Sequence, residues 1–426
     1  MTEPAPASDD ARPIDRRTIL AIAVAALGYF VDLFDLVLFS ILRVPSLKAL
    51  GVTDPAEITR IGKNLLDIQL IGMLLGGIAF GMLGDRFGRL KTLFGSILLY
   101  SVANILNAFV TDVWQYEVLR FVAGFGLAGE LGAGITLVSE LLPAAKRGIG
   151  TSLVAGIGLL GAVAAFFVAQ AVEWRTAYFI GGGMGLSLLL LRLKVLDSGL
   201  FHQTAARTDV VRGSLFQLFR TRERSMRYLR SVLIGLPTWY MIGILVQRAS
   251  TVFAPAAGIT GEPVKTNWAV AAFYLGLTFG DLASGIASQL LKSRKKVVAA
   301  FLGLSLLCVG VYLYGADGWT TTGYYRLIFL MGFGMGYWAL FVTIAAEQFG
   351  TNLRATVATT VPNFARGSLV LLTFCFTMLI GTKEVPNYAP STAGLILGVV
   401  CFGAAFLALW KMEETYGKDL DYQEQK

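Results

Sequence analysis

The chain has 426 residues, of which 55% are hydrophobic and only 15% are charged, and its formal net charge is +8. Because a soluble domain carries about 25% charged residues, this composition excludes the set of soluble domains that the length alone would suggest. The three cysteines lie in apolar runs and the only histidine is His202, which argues against a disulfide framework, a zinc site or a Ser-His catalytic pair. No cofactor and no metal are expected.

Long apolar runs predict membrane-spanning helices along the whole chain. Seven runs contain no charged residue, and each is long enough to cross a bilayer at about 1.5 Å per residue, the shorter ones with help from flanking side chains. Five further stretches are equally apolar but contain isolated charges. The seven uncharged runs are 92–111, 148–172, 176–191, 231–247, 297–316, 327–346 and 385–410, and the other five are 18–42, 64–84, 113–142, 266–291 and 355–382. The pattern predicts an all-α membrane protein with twelve transmembrane helices.

The basic residues predict the orientation of these spans. With a cytoplasmic N-terminus, 25 of the 36 Lys and Arg residues fall on the cytoplasmic side, as the positive-inside rule requires. Both termini are therefore expected in the cytoplasm, and the net charge reflects topology rather than a nucleic-acid surface. Residues 1–17 are predicted to be a disordered cytoplasmic tail, and residues 412–426 a second cytoplasmic tail.

An internal repeat divides the chain into two halves. Three short motifs recur in order at offsets of 207 or 208 residues: 77–79 in 285–287, 124–126 in 332–334, and the Glu140/Arg147 pair in Glu347/Arg354. The boundaries predict a six-helix bundle over 18–192, a basic cytoplasmic linker over 193–228 and a second six-helix bundle over 229–411. Parallel six-span repeats predict a substrate site near the membrane midplane between the halves.

Three loop and helix motifs resemble those of the major facilitator superfamily. Residues 81–91 read GMLGDRFGRLK, residues 120–126 read RFVAGFG, and residues 140–148 read ELLPAAKRG, which is similar to a motif of the sugar porters. The resemblance covers the whole chain and implies the major facilitator fold, transport by alternating access and a monomer. The fifth span lacks the Gly-Pro motif of the family's antiporters, which weakens an exporter interpretation.

The first span has a narrower resemblance. Residues 28–36 read GYFVDLFDL, which resembles the first span of phosphate:proton symporters and the D-G-[FY]-D motif of aromatic-acid:proton symporters. The fourth span departs from the phosphate porters, with Glu130 in place of their Asp and Leu131 after it. That departure argues against phosphate itself as the substrate.

Three carboxylates inside spans are candidates for proton coupling, because a charge in hydrocarbon is costly and is usually functional. Asp32 and Asp35 are three residues apart, so they share a helix face and repel each other when both are ionised. Glu130 lies in the middle of the fourth span among glycines. The structural alternative is that these carboxylates pair with basic residues, with Arg120 as a partner for Glu130 through another helix or water.

The expected substrate site combines charged and uncharged side chains of the spans. Arg366 lies near the midplane and can bind an anion or neutralise a carboxylate, Asn363 shares its face, and Arg120 can contact substrate or snorkel to the membrane surface. Asp281 can bind a cation or a hydroxyl group, or pair with a basic residue. Packing is the competing explanation for the uncharged candidates, which are Gln247, Tyr337, Trp338, Trp239 and Tyr240. Pro237 is expected to open the seventh helix.

Charged residues at the cytoplasmic helix ends are expected to lock the two halves together while the cavity opens outward. The alternative, simple anchoring at the membrane surface, is favoured for 292–296. The gating candidates are Asp85, Arg86, Arg89, Glu140, Arg147, Glu347 and Arg354.

The sequence thus predicts a secondary active transporter, not an enzyme, in the plasma membrane of a bacterium. Its expected partners are a small-molecule substrate, protons and the lipid bilayer, with no nucleic acid. An organic or inorganic anion imported with protons is the favoured cargo. An uncoupled facilitator of a neutral or cationic metabolite and a drug or metabolite exporter remain alternatives. No ATP-binding loop of the G-x-x-x-x-G-K-[ST] type occurs.

Overall fold

The computed structural model describes residues 16–87, 89–142, 144–196, 215–381 and 385–418. Within these ranges the chain is built from α-helices and carries no strand beyond two isolated bridges. The first half contains α1 (Arg16–Ala49), α2 (Pro55–Phe87), α3 (Arg89–Asn107), α4 (Val113–Leu127), α5 (Glu130–Leu141), α6 (Ala144–Ala171) and α7 (Trp174–Leu196).

The second half follows the same plan with one extra irregularity. It contains α8 (Leu215–Leu218), α9 (Arg222–Ile234), α10 (Leu236–Tyr240), α11 (Ala254–Ala256), α12 (Thr266–Leu290), α13 (Arg294–Tyr314), α14 (Thr321–Gly334), α15 (Trp338–Glu347), α16 (Arg354–Ile380) and α17 (Pro390–Trp410). Two wide π-helical turns, Met241–Val246 and Ala249–Phe253, lie between α10 and α11.

These helices form twelve membrane spans, which confirms the predicted fold class. Ten helical stretches in the described part of the chain are long and apolar enough to cross a membrane, and α3 and α7, with 19 and 23 residues, complete the set. The fourth span consists of α4 and α5, the tenth of α14 and α15, and the seventh of α9, α10 and the π-helical turns. The seventh span begins at Arg222, inside the segment expected to be linker. Residues 1–15, 197–214 and 419–426, which include parts of the expected linker and of the two expected tails, lie outside the described residues.

Glycine and proline explain the three broken spans. Gly129 separates α4 from α5, and Gly336 lies between α14 and α15, where a Cβ would overlap the backbone of Gly280. Gly235 ends α9, and Pro237 follows at the start of α10. Proline lacks the N–H that would continue the helix, so the opening expected at Pro237 is present, and the helix resumes with π-helical turns.

The two halves meet along two seams, where α2 packs along α16 and α6 packs along α12. The ends of the described chain, Arg16 and Lys418, lie at one face of the bundle. That face also carries the connections 87–89, 141–144, 290–294 and 347–354, and we call it the basic face. The opposite one is the distal face.

The halves are in close contact near the basic face. Thr343 Oγ1 lies 3.1 Å from Thr151 Oγ1 across the seam, and a Cβ on Gly132 would overlap Thr359. Every residue from Met335 to Gly350 is buried. The interface between the halves is therefore closed on this side.

Candidate functional site

A small cavity lies between the two halves at mid-height. Its volume is about 20 Å³, which is room for one water molecule. Spans 1 and 5 line it from the first half, and spans 7, 8, 10 and 11 line it from the second. The lining residues are Tyr29, Leu33, Leu36, Leu159, Thr238, Trp239, Ile242, Phe273, Tyr274, Leu277, Trp338 and Arg366.

Arg366 is the charged side chain of this cavity. It is 2% exposed, and its guanidinium lies 5.9 Å from the Trp239 ring centre and 6.0 Å from that of Trp338. Its one hydrogen bond to a described residue runs from Nη1 to Asn363 Oδ1, at 3.3 Å. No carboxylate in the described ranges lies within ion-pair distance of it. A buried arginine in that position has unused donors and no carboxylate bound directly to it among the described residues.

Two side chains tie the cavity to both halves. Trp338 donates from Nε1 to Tyr29 Oη at 3.2 Å, which joins the tenth span to the first. Asn363 donates from Nδ2 to the carbonyl of Ala128 at 3.0 Å, at the break in the fourth span. That carbonyl has no helical partner because the helix stops there. Asn363 therefore spans the interface and orients Arg366, rather than facing the cavity itself.

Asp32, in the first half, is a carboxylate on which the charge of Arg366 acts across the interface. It is fully buried, and neither oxygen has a hydrogen-bond partner among the described residues. Its nearest charges are Arg366, Glu130 and Asp35. The charge of Arg366 therefore acts on Asp32, although no hydrogen bond joins the two side chains.

Asp35 points elsewhere, into the first half. Arg120 and Asn104 are its nearest polar neighbours, and Arg120 donates from Nη2 to Asn104 Oδ1 at 2.7 Å. The Arg120 guanidinium lies over the rings of Phe39, Tyr116 and Tyr178 at 5.1–5.9 Å and is fully buried. Arg120 neither snorkels nor reaches the cavity, because these rings and spans 1, 3 and 6 enclose it.

Glu130 forms a buried ion pair with Arg192, which was not expected. Nη2 of Arg192 lies 2.9 Å from Oε2 and Nη1 lies 3.3 Å from Oε1, and the side chains are 5% and 1% exposed. The pair joins the sixth span to the first turn of α5. Arg120 is therefore not the partner of Glu130, because Arg192 occupies both carboxylate oxygens.

Four other substrate candidates have structural roles or lie outside the cavity lining. Asp281 accepts at Oδ1 from the Ala339 N–H at 3.0 Å, so it caps the start of α15, and it forms no ion pair with a basic residue in the described ranges. Tyr240 donates to the Gly394 carbonyl and Tyr337 to the Ile234 carbonyl, at 2.6 and 2.9 Å. Gln247 is half-buried above the π-helical turn. No group of three or more His, Cys, Asp or Glu in the described ranges could hold a metal ion.

The gating candidates lie at the basic face, but their ion-pair partners differ from those that the sequence predicted. Glu347 pairs with Arg294 at 2.8 Å, and both side chains are 1% exposed; Arg147 from the first half and Arg354 are also close to Glu347. Arg294 is thus a buried ion-pair partner rather than a membrane anchor. Arg86 is exposed, and the side chains of Asp85, Arg89 and Glu140 lie outside the described set.

The segment after the twelfth span contributes to this face, although it was expected to be a tail. Glu414 accepts from the backbone N–H groups of Arg294 and Lys295 at 3.0 and 3.2 Å, and from the Ser293 hydroxyl. Arg147 donates to the Lys418 carbonyl at 3.3 Å. Glu414 thus holds the first turn of α13, where the second half has Ser293 in place of the motif's aspartate.

The polar cavity residues that the sequence did not predict are Tyr29, Tyr274 and Thr238. Tyr29 lies three residues before Asp32 on the same helix face, which was an available signal. Tyr274 and Thr238 had none, because aromatic and hydroxyl residues are common in packed spans. Arg192 was assigned to the end of the sixth span, where a snorkelling arginine is the ordinary expectation.

Comparison with known proteins identifies the family. A model of the Major Facilitator Superfamily matches residues 25–366. Similar proteins include a niacin transporter of Acinetobacter baylyi (28% identical, covering 80% of this chain and 83% of that one) and a 4-hydroxybenzoate transporter of Pseudomonas putida (26%, 87% and 88%). A gentisate transporter of Corynebacterium glutamicum is 25% identical over 96% of this chain and 94% of its own.

A solved structure supports the same fold. The proton:xylose symporter XylE superposes with a TM-score of 0.71 over 96% of this chain and 98% of its own, at 16% sequence identity. This chain belongs to the major facilitator superfamily: it is a multi-pass membrane transporter of a small solute and not an enzyme.

Proposed function

We propose that this transporter imports a small aromatic carboxylate together with protons. The substrate carboxylate would bind Arg366, and its ring would lie between the indoles of Trp239 and Trp338. Asp32 would carry the coupled proton. The basic face would be cytoplasmic, so the substrate would enter from the distal face.

One observation carries the proposal: Arg366 is buried between the halves without an acidic partner among the described residues. Removing an arginine from water costs several kcal/mol unless a counter-charge compensates it (about 3–5 kcal/mol when a buried pair is broken). A carboxylate forms two parallel hydrogen bonds with the planar guanidinium, which makes it the best-matched organic anion. The substrate would thus supply the directly bound carboxylate that the described residues do not provide.

The walls of the cavity favour an aromatic ring. Trp239 and Trp338 lie 6.3 Å apart with their planes at 71°, and Tyr29 and Tyr274 close two other sides. Aromatic side chains bind rings through stacked and edge-to-face contacts worth about 0.5–1.5 kcal/mol each. The 20 Å³ cavity must widen by movement of these rings before a benzoate-sized ligand fits. Transport of niacin, gentisate and 4-hydroxybenzoate by the similar proteins agrees with this class.

The position of Asp32 gives a physical route to proton coupling. In the empty site Arg366 is the nearest positive charge to Asp32. A bound carboxylate takes over Arg366 and leaves Asp32 as a buried anion without a counter-charge, which a proton neutralises at the lowest cost. Substrate and proton would then bind together and be released together. Asp35 and Glu130 would follow Asp32 as further protonation sites, each held by its own arginine.

Orientation follows from charge. The basic face carries most of the Lys and Arg residues of the short loops, which favours a cytoplasmic location. Both termini would then be cytoplasmic, in the inner membrane of a bacterium, with the transporter acting as a monomer. The ion pair of Glu347 with Arg294, with Arg147 of the first half close to Glu347, would close the cytoplasmic gate while the cavity opens outward.

The test compares a carboxylate with its neutral isostere. Purified protein is reconstituted into liposomes, and uptake of labelled nicotinate, 4-hydroxybenzoate, gentisate and nicotinamide is measured with and without an inward proton gradient. The variants are Arg366→Gln and Asp32→Asn, with Arg326→Gln as a control that removes a span arginine outside the cavity. We expect gradient-driven uptake of at least one carboxylate, none of nicotinamide, and loss of uptake in Arg366→Gln but not in Arg326→Gln.

Asp32→Asn separates coupling from binding. We expect it to retain substrate exchange between the two sides of the liposome and to lose acceleration by the proton gradient. If nicotinate and nicotinamide are taken up equally and Arg366→Gln changes neither uptake, the proposal that the substrate is a carboxylate is refuted. Gradient-independent uptake by the unmodified protein would identify an uncoupled facilitator.

A further inference from the structure

Two arginines, one from each half, lie beyond the cavity toward the distal face. Arg43 lies seven residues beyond Leu36 in α1, and Arg248 lies six residues beyond Ile242 in the seventh span. At about 1.5 Å per residue both are about 10 Å from the cavity lining. Their charges are close enough to interact, although they belong to different halves.

Neither arginine forms an ion pair with a described residue. Both are half-buried, and Nε of Arg43 is buried without a hydrogen-bond partner. Arg248 donates from Nη1 to its own span, at the Gly243 carbonyl, and lies 5.2 Å from the ring centre of Phe376.

One carboxylate lies nearby. Asp67 is close enough to Arg248 to interact with its charge, but its ion pair, at 3.7 Å, is with Lys63. Among the charges that these interactions connect, two arginines and one lysine outnumber one aspartate, so this group carries a net positive charge.

We propose that Arg43 and Arg248 form an outer docking site for the substrate carboxylate. The inference rests on the proposed function, because it assumes an anionic substrate that arrives from the distal face. The anion would bind between the two guanidinium groups before it moves inward to the cavity that holds Arg366.

Charge at the mouth of a low-dielectric cleft raises the local concentration of an oppositely charged ligand and its association rate by about 10- to 1,000-fold. Here the two charges also repel each other across the interface, and a carboxylate placed between them removes that repulsion. Docking would therefore bring the distal ends of the halves together behind the entering substrate. A neutral solute would gain neither effect.

The test uses the same liposomes with Arg43→Gln, Arg248→Gln, the double variant and Asp67→Asn. Lys265→Gln is the matched control, because Lys265 is an exposed positive charge on the same face. We expect each arginine variant to raise the KM for the transported carboxylate about tenfold, most strongly at low ionic strength. The double variant should add little to either single one, because both arginines hold the same carboxylate. Asp67→Asn should lower the KM.

The Asp67→Asn result separates docking from a structural role, since a merely structural change would not improve affinity. Arg43→Lys and Arg248→Lys keep the charge and should retain most of the affinity, which covers the case in which a glutamine variant fails to fold. If carboxylate uptake depends on Arg366 but the Arg43 and Arg248 variants match Lys265→Gln, the docking site is refuted and the proposed function stands. If the unmodified protein takes up none of the three carboxylates, both proposals fail.

Discussion

The buried pair of Glu130 and Arg192 gives the sharpest prediction for stability. Both carboxylate oxygens accept from Arg192, at 2.9 and 3.3 Å, and both side chains are almost completely buried. Breaking such a pair leaves one uncompensated charge in a low-dielectric interior, which costs about 3–5 kcal/mol. We therefore expect Arg192→Gln and Glu130→Gln each to lower the melting temperature of the purified protein strongly.

The double variant Glu130→Gln/Arg192→Gln should be more stable than either single variant, because two amides can hydrogen-bond without an unpaired charge. Gly28→Ala tests the geometry without changing any charge. A Cβ at that position would overlap the Arg192 guanidinium and lie 2.6 Å from Glu130 Oε2, so it should destabilise the protein by forcing the pair apart.

The assay is thermal unfolding in detergent, followed by intrinsic fluorescence, for the four members of the cycle. Arg326→Gln serves as the control, because it removes a span arginine that forms no ion pair with a described residue. Additive effects of the two single substitutions, or an unchanged melting temperature in Arg192→Gln, would refute the reasoning, since a buried bidentate pair requires strong coupling.

Two further predictions concern the helix ends. Five donors around Glu414, from Ser293, Arg294, Lys295, Thr415 and Tyr416, outweigh the effect of its partial burial and hold its pKa below the ordinary 4.5. A carboxylate with a lowered pKa contributes stability above pH 4.5 and loses it as the pH falls through the folded value. Glu414→Gln should therefore melt lower than wild type at pH 7, and the gap should close as the pH falls below 4.5. A gap independent of pH would contradict this. Asp281→Ala removes the cap of α15 and should cost about 1–2 kcal/mol, while Asp281→Asn, which keeps the acceptor oxygen, should cost less; equal melting temperatures for the two would argue against capping.

The spans were predictable because hydropathy and the distribution of lysine and arginine are properties of whole segments. The breaks were only partly predictable. Pro237 predicts one break. Gly129 and Gly336 cannot be told apart in the sequence from the other glycines of packed spans. The structure shows why the helices break at these two glycines. The backbone of Gly280 packs against Gly336, and Asn363 donates a hydrogen bond to the Ala128 carbonyl next to Gly129.

The candidate site was predictable in its residue types rather than in its pairing. A charged residue inside an apolar span is easily recognised in the sequence, so Asp32, Glu130 and Arg366 were predicted as candidates. Which carboxylate meets which arginine depends on helix rotation and on contacts between residues distant in sequence. Asp32 and Asp35 share a helix face by spacing, yet one faces Arg366 at the interface and the other faces Arg120 within the first bundle.

The internal repeat places different residue types at equivalent positions of the two halves. An offset of 208 residues places Trp338 at the position of Glu130, and each is the first residue after the break in its span. In the first half this position holds a carboxylate, and Arg192 secures it inside the bundle. In the second half it holds an indole that faces the cavity and bonds to Tyr29 of the other half. The same break thus creates a helix start in both halves, and the residue at that position determines whether the helix start carries a carboxylate or an indole.

The first half contains the protonatable groups Asp32, Asp35 and Glu130, while the second half supplies Arg366 and the two indoles. In the proposed mechanism, coupling would depend on the interface between the halves, where the charge of Arg366 acts on Asp32.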